Sequence, residues 1–360
     1  MAKYVVMIGT DPRGKGGIAS VISAYQQAGL FDQFPIRYLV SHSEDSRLRK
    51  LTSALGAGFA LFWQLLLRRV AIVHVHSASN ASFQRKSRYL SMARSFGVPT
   101  IFHLHGGGFA KYATTHQGDR TGLRIREVLT RSSVVVALSE SWADVARSLG
   151  ACGRVEVIAN PVSVTAVPAI DSVDPHRVLY LGRVSRAKGT FDLLDAVAQL
   201  RRAGTPAQLA VGGDGDLDAL RASAGALGVA QAVEICGWLG PDEKRDQLAR
   251  AGIFALPSYD EGLPMAMLEA MAESKALVVT PVGGIPEAVE QGVHALLVQP
   301  GDVDSLAMAL GRLMGDGDLR RRLGVQARAR VLERYAADQV IGKLGVLYES
   351  LGVRRRAGRL

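Results

Sequence analysis

The residues best suited to chemistry lie in the second half of the chain. A strand-like run, Arg177–Leu181, leads into Gly182-Arg183-Val184-Ser185-Arg186-Ala187-Lys188-Gly189. Arg183 and Lys188 sit between glycines at the C-terminal end of a strand. There they suit a diphosphate, because they neutralise the charge that grows as it departs. Arg186 reads as a solvated member of the same loop. A second element, Pro257-Ser258-Tyr259-Asp260-Glu261-Gly262-Leu263-Pro264, runs into Met265-Ala266-Met267-Leu268-Glu269-Ala270-Met271-Ala272. Pro264 stands where a first helical residue is favoured, and the amides of Gly262, Leu263 and Met265 are expected to form an anion cradle. Glu261 and Glu269 beside such a cradle are poorly placed for phosphate and should bind hydroxyls. A sugar nucleotide offers two sets, on the hexose and on the ribose.

The first Gly-rich loop, Gly9–Gly17 (GTDPRGKGG), comes close to a phosphate-binding P-loop. Gly16 stands where Ser or Thr would hold magnesium, which argues against an ATPase or kinase. The loop is not G-x-G-x-x-G either. Two readings remain: a turn that lets the backbone at Gly16 and Gly17 approach a ligand, or a tight strand-to-helix turn with none. Asp214-Gly215-Asp216 and Asp302-Val303-Asp304 look like metal-binding pairs but read as turn and helix-cap aspartates.

These loops need a scaffold, and the chain supplies alternating strands and helices. Strands are expected at Tyr4–Ile8, Ile36–Val40, Ile72–Val75, Thr100–Leu104, Val134–Leu138 and Val155–Ile158. A second series runs Arg177–Leu181, Gln208–Val211, Val233–Ile235, Ile253–Leu256, Leu277–Thr280 and Ala295–Val298. Nearly continuous apolar runs mark parallel strands covered on both faces, so the fold class is α/β with two Rossmann-like, doubly wound domains. Ser163–Pro175 lacks periodicity, contains Pro168 and Pro175, and reads as the linker. Helices are expected at Val303–Met314, Asp318–Tyr335 and Ala336–Leu351. The domains are then 1–165 and 176–335, with a helix and basic tail over 336–360. Two such domains place ligands at strand C-termini, facing one another across a cleft.

The spacing Glu261-x7-Glu269 within PSYDEGLPMAMLEAMA resembles the signature of family 4 retaining glycosyltransferases of the GT-B fold. The likeness continues through GRVSRAKG, GGDGDL (Gly212–Leu217), TPVGGIPEAVEQG (Thr280–Gly292), VQPGD (Val298–Asp302), VIANPV (Val157–Val162) and Gly16-Gly17. It covers nearly the whole chain and is most specific over 177–302. The resemblance implies that Arg183 and Lys188 grip the donor diphosphate, Glu269 binds the ribose hydroxyls and Glu261 contacts the transferred sugar. Cys236-Gly237-Trp238 is similar to the stretch that meets the nucleobase edge, which assigns Gly237 and Trp238 to the nucleotide. Within Phe102-His103-Leu104-His105-Gly106-Gly107-Gly108, His105 fits the family's histidine near the reacting sugar. His103 is expected to point to the other side and pack. His76, from His74-Val75-His76, either faces the cleft or is a satisfied structural histidine, and Ser139 is a lining candidate. The family's cation role falls to Arg183 and Lys188, so no metal and no cofactor is expected beyond the nucleotide-diphosphate sugar itself. The terminal helix and tail are expected to pack back on the first domain.

Composition bounds the partners. The 360 residues carry a net charge of +10, and residues 1–165 hold 20 Lys/Arg against 9 Asp/Glu. The positive excess therefore sits in the first half, where it favours an anionic partner. No helix-turn-helix, RNP-like or zinc-finger signature supports nucleic acid. The apolar run Ala54–Leu67 is too short to span a bilayer, which takes about 20 residues. Arg47, Arg49 and Lys50 precede it, and Arg68 and Arg69 follow. It is either a helix buried beside the next strand or one lying in a cytoplasmic leaflet. The N-terminal run reads as a first strand, not a signal peptide. Cys152 and Cys236 have no partner spacing and read as buried, reduced thiols, which suits a cytoplasmic setting.

The function expected is hexosyl transfer with retention from a GDP- or UDP-sugar to a glycan acceptor, polyprenyl-diphosphate-linked, at the inner face of a bacterial membrane. Competing readings are a nucleotide-sugar epimerase of similar architecture and a non-catalytic basic protein that binds membrane or nucleic acid.

Overall fold

The computed structural model describes residues 3–42, 47–164 and 173–356. It contains two parallel six-stranded sheets. The first is built from β1 (Tyr4–Thr10), β2 (Ile36–His42), β3 (Val70–Ser77), β4 (Thr100–Leu104), β5 (Val134–Ala137) and β6 (Arg154–Val157), in the order β2-β1-β3-β4-β5-β6. The second holds β7 (Asp174–Leu181), β8 (Gln208–Gly212), β9 (Val233–Gly237), β10 (Ala251–Leu256), β11 (Ala276–Val279) and β12 (Leu296–Leu297), in the order β12-β11-β10-β7-β8-β9. The twelve strands match the apolar runs read from the sequence, each shifted by a few residues at most. All six residues of β10, AGIFAL, are buried, as both-face coverage by helices demands. The strand order reverses between β1 and β3 in the first sheet and between β10 and β7 in the second. Loops leaving the C-terminal ends of those strands border a crevice, the usual ligand position in such sheets.

The chain forms two compact units, Met1–Pro161 with Ala337–Leu360, and Val162–Ala336. Of the expected linker, residues 165–172, Pro168 among them, lie outside the described residues, and Asp174 and Pro175 already belong to β7. The helix Ala337–Ser350 packs into the first unit. Its Tyr348 is fully buried, with the Phe34 ring edge-on at 5.5 Å, and Arg356 N–H donates to the Gln33 carbonyl at 2.7 Å. A side chain at Gly345 would press on the Phe34 ring at 3.0 Å, which is why the helix carries glycine there.

Strand alternation organises the first core. Tyr4, Val6, Ile8, Val73, Val75, Phe102 and Leu104 share one hydrophobic cluster with Phe83, Phe109 and Trp142. The helix Arg47–Leu66 contributes only a stripe to it: Ala57, Leu61 and Leu65 are buried at four-residue spacing. On the other side Leu55, Phe59, Phe62, Trp63 and Leu66 are exposed, Phe59 at 71% and Trp63 at 52%. A wholly buried helix is therefore ruled out at this position. No described helix is long and apolar enough to cross a membrane. The cysteine expectation is corrected too: Cys152 is exposed and Cys236 only partly covered, both as free thiols. Cys152 lies in the turn before β6 and Cys236 on the edge strand β9, positions that sheet packing leaves open.

Candidate active site

In the second unit, the loops after β7 and β10 are stitched together. Gly189 adopts φ +65°, and a Cβ there would overlap the Pro257 carbonyl oxygen, so this approach requires glycine. Tyr259 N–H donates to the Ala187 carbonyl at 3.0 Å. This brings two expected residues into contact: Lys188 Nζ lies 2.7 Å from Glu261 Oε1 and donates to the Asp260 carbonyl at 2.8 Å. Ser258 Oγ–H donates to the same carboxylate at 2.8 Å, and Thr280 Oγ1–H to the Ser258 carbonyl at 2.5 Å. The β11 loop backs the arrangement through Gly284 N–H on the Gly262 carbonyl at 2.7 Å.

Arg183, on the same loop as Lys188, is exposed, and its side chain has no ion-pair partner among the described residues. Arg186 is exposed as well, its guanidinium 5.1 Å from the Phe191 ring. The loop after β8 packs on the loop after β7. Asp216 N–H donates to the Val184 carbonyl at 3.0 Å, and a Cβ at Gly213 would collide with Gly182. Gly237 ends β9 at φ +68°, and its carbonyl accepts from Gly213 N–H at 2.7 Å. Trp238 follows it, 44% exposed. Because the strands are parallel, Arg183, Lys188, Gly237, Trp238 and Glu261 all leave the same end of one sheet.

Three expectations need adjustment here. Pro264 takes the N-cap position, with φ −71° and ψ 122°, and Met265 is the first helical residue of Met265–Ala272. Gly262 and Leu263 are buried rather than open at the surface. Glu269 is paired with Lys244 at 2.5 Å, a cation the sequence reading did not include. Lys244 comes from the helix Pro241–Arg250, and nothing local to either residue signals the contact. Of the aspartates, Asp302 caps its helix by accepting from Ser305 N–H at 2.9 Å, whereas Asp216 holds a cap position without a side-chain bond.

In the first unit, Gly16 (φ +107°) and Gly17 are exposed at the start of the helix Gly17–Gln27, with open space where side chains would be. Ser139 caps the helix Glu140–Ser148 through Trp142 N–H at 3.3 Å. His103 does not point away from His105. Residues two apart on a strand share a face, and the two rings stack with centroids 4.2 Å apart. His74 and His76 occupy the same face of β3, opposite Val73 and Val75. His74 Nε2 lies 3.2 Å from His103 Nδ1, and His76 Nδ1 lies 2.8 Å from His105 Nε2. Tyr348 Oη sits 2.7 Å from His74 Nδ1. Ring nitrogens of His74, His76 and His103 fall within 4.8 Å of one another, a spacing open to a metal, yet each ring already hydrogen-bonds a neighbour.

Burial keeps these rings neutral. It pushes the His105 pKa down to about 3, helped by the nearby Lys86 charge and opposed by a hydrogen bond to Asn160. His74 is likewise pushed down to about 3, and His76 and His103 well below the usual range. Lys86 is itself buried, 1% exposed. Its Nζ donates to Ser82 Oγ at 3.0 Å, and no ion-pair carboxylate meets it among the described residues. Burial, with Arg85 adjacent, brings its pKa down to about 7. Nothing in its polar surroundings in sequence, NASFQRKSRYL, marks this lysine as buried.

The chain matches the model described as Glycosyltransferase Family 4 over residues 17–166 and the one described as Glycosyl transferases group 1 over 175–316. It is 26% identical over 326 residues to an alpha-D-kanosaminyltransferase from Streptomyces kanamyceticus, covering 82% of each chain. It is 35% identical over 193 residues to a D-inositol 3-phosphate glycosyltransferase from Corynebacterium jeikeium, half of this chain and 46% of that one. Among solved structures, a sucrose-phosphate synthase from Thermosynechococcus elongatus superposes with a TM-score of 0.81 at 20% identity, over 97% of this chain and 99% of that one. The Anabaena HepE protein in complex with UDP-glucose gives 0.75 at 18%, over 96% and 99%.

Proposed function

Because the chain belongs to the family 4 glycosyltransferases and has the GT-B fold, we propose that it moves a hexosyl group from a GDP- or UDP-sugar to a glycan acceptor with its anomeric configuration retained. The observation that carries this reading is the Lys188–Glu261 contact at the crevice between β7 and β10. A cation for the leaving diphosphate and a carboxylate for a sugar hydroxyl arrive there on adjoining loops. Arg183, exposed on the loop after β7, completes the grip on the diphosphate, and its charge and that of Lys188 take the place of a metal. Gly237, Trp238 and Glu269 hold the nucleoside. Gly262, Leu263 and Pro264 shape the donor loop, and in the first unit the exposed backbone at Gly16 and Gly17 is open to a ligand.

Retention follows from front-side attack, in which the leaving phosphate oxygen accepts the acceptor's proton. His105, as a neutral imidazole, supports the oxocarbenium-like centre without repelling it. The test is thermal shift with UDP and GDP, followed by slow hydrolysis of UDP- and GDP-sugars in the presence of EDTA and NMR of the released anomer. A true donor site is stabilised by micromolar nucleotide. Loss of hydrolysis in EDTA, or an inverted product, overturns the mechanism.

The acceptor we favour is a lipid-linked glycan of surface polysaccharide assembly, met at the inner face of the cell membrane. Support comes from the basic first half and from the exposed Phe59, Phe62 and Trp63 on the helix Arg47–Leu66. Binding to anionic liposomes should weaken at high salt, since charge is screened within about 8–10 Å. Equal binding to neutral liposomes at every salt concentration defeats the electrostatic part.

A further inference from the structure

The four-histidine cluster contains three rings that the reaction outlined above does not use, and one of them, His76, is hydrogen-bonded to His105. His76 is fully buried on β3, its Nδ1 is 2.8 Å from His105 Nε2, and its own Nε2 has no hydrogen-bond partner among the described residues. An unpartnered buried polar atom costs roughly 1–3 kcal/mol, and a leucine or phenylalanine at this place would avoid the cost. The fold carries a histidine here because of its other nitrogen.

We propose that His76 is a positioning residue for His105, donating from Nδ1–H to His105 Nε2 and so fixing the His105 ring in a single neutral tautomer. The polarity follows from His76 itself. Burial keeps its ring neutral, and a neutral imidazole has one N–H. On Nε2 that N–H would be buried with no acceptor among the described residues, whereas on Nδ1 it meets His105 Nε2 at 2.8 Å. His76 Nδ1 is therefore the donor and His105 Nε2 the acceptor, which puts the one N–H of the neutral His105 ring on Nδ1. Three further contacts hold the pair in place. His105 N–H donates to the Ser77 carbonyl at 2.8 Å, the His103 ring stacks on His105, and the His74 ring stacks on His76 at 4.3 Å. His105 therefore presents one ring orientation to whatever meets it. This inference rests on the reading of His105 as a site residue.

The decisive measurement is the nitrogen chemical shifts of His105 in the full chain labelled with 15N-histidine. An unprotonated Nε2 with a protonated Nδ1 supports the proposal, and a protonated Nε2 overturns it. The second arm compares His76→Asn, whose amide N–H can stand where Nδ1–H stood, with His76→Leu, which keeps the volume but donates nothing. The asparagine variant should keep the wild-type tautomer and hydrolyse UDP-glucose at a rate near wild type. The leucine variant should give mixed tautomers and about tenfold slower hydrolysis, the value of one hydrogen bond, with UDP affinity unchanged. Identical behaviour of the two variants overturns the proposal, as does a leucine variant with unaltered shifts. If wild type shows the expected tautomer but no turnover of any nucleotide sugar, the proposed function fails while the positioning role stands.

Discussion

Lys86 offers a sharp physical test. Its ammonium is 1% exposed, bonded to Ser82 Oγ and unmatched by an ion-pair carboxylate among the described residues, and its pKa falls from 10.5 to about 7. At 1.36 kcal/mol per unit, a shift of this size corresponds to a folding penalty on the order of 5 kcal/mol when the group is protonated in both states. Lys86→Met keeps the apolar stem, removes the charge and gives up a hydrogen bond worth about 1 kcal/mol. The variant should therefore be more stable than wild type by several kcal/mol near pH 6. The sign of the pH dependence follows from the lowered native pKa. Between about pH 7 and pH 10 the unfolded chain binds more protons than the native one, so wild type gains stability as pH rises. The advantage of methionine should shrink across that window and be small near pH 10. Urea unfolding by tryptophan fluorescence in a Trp238→Phe background reads the first unit, because Trp63 and Trp142 both lie there. A methionine variant less stable than wild type near pH 6, or an advantage that does not change with pH, refutes the reasoning.

Other expectations concern the second unit. Lys188→Ala should lower turnover by about 100- to 1000-fold, the loss of one donor to developing charge, with a much smaller effect on UDP affinity. Glu269→Ala should raise the donor Michaelis constant more than it lowers turnover, because a ribose contact is alike in ground and transition states. Gly189→Ala should abolish nucleotide-induced thermal stabilisation. Its φ of +65° and the overlap with the Pro257 carbonyl force apart the two loops that join Lys188 to Glu261.

Periodicity and local composition revealed much of this molecule. Parallel strands such as AGIFAL announce themselves because burial on both faces leaves no room for polar residues. Glu261 and Lys188 were legible because each lies where a strand ends in a glycine turn. The Glu269–Lys244 pair was not, since it joins two helices 25 residues apart in sequence and depends on their packing. The faces of His103 and His105 could have been read correctly from strand alternation alone. What alternation does not give is the neighbouring strand, and only the β3–β4 pairing sets His74 and His76 against them. The apolar run Ala54–Leu67 left both a buried helix and one with an uncovered apolar face open for a related reason: such a run shows hydrophobicity on every side but not how much core is available to cover it.

The return of the chain to the first unit has a consequence for synthesis. Residues 162–336 form an insertion, and its two ends meet within it: Val162 N–H donates to the Tyr335 carbonyl at 2.9 Å, and Val162 bridges Ala336. As the polypeptide emerges from its N-terminus, the β1–β6 sheet is made first but cannot be finished. Tyr348, which fills the space beside Phe34 and bonds to His74, arrives only after the whole second unit. Until then His74 and Phe34 lack their cover. The domain begun first is completed last, and a chain terminated before Ala337 would carry an intact second unit beside an unsealed first one.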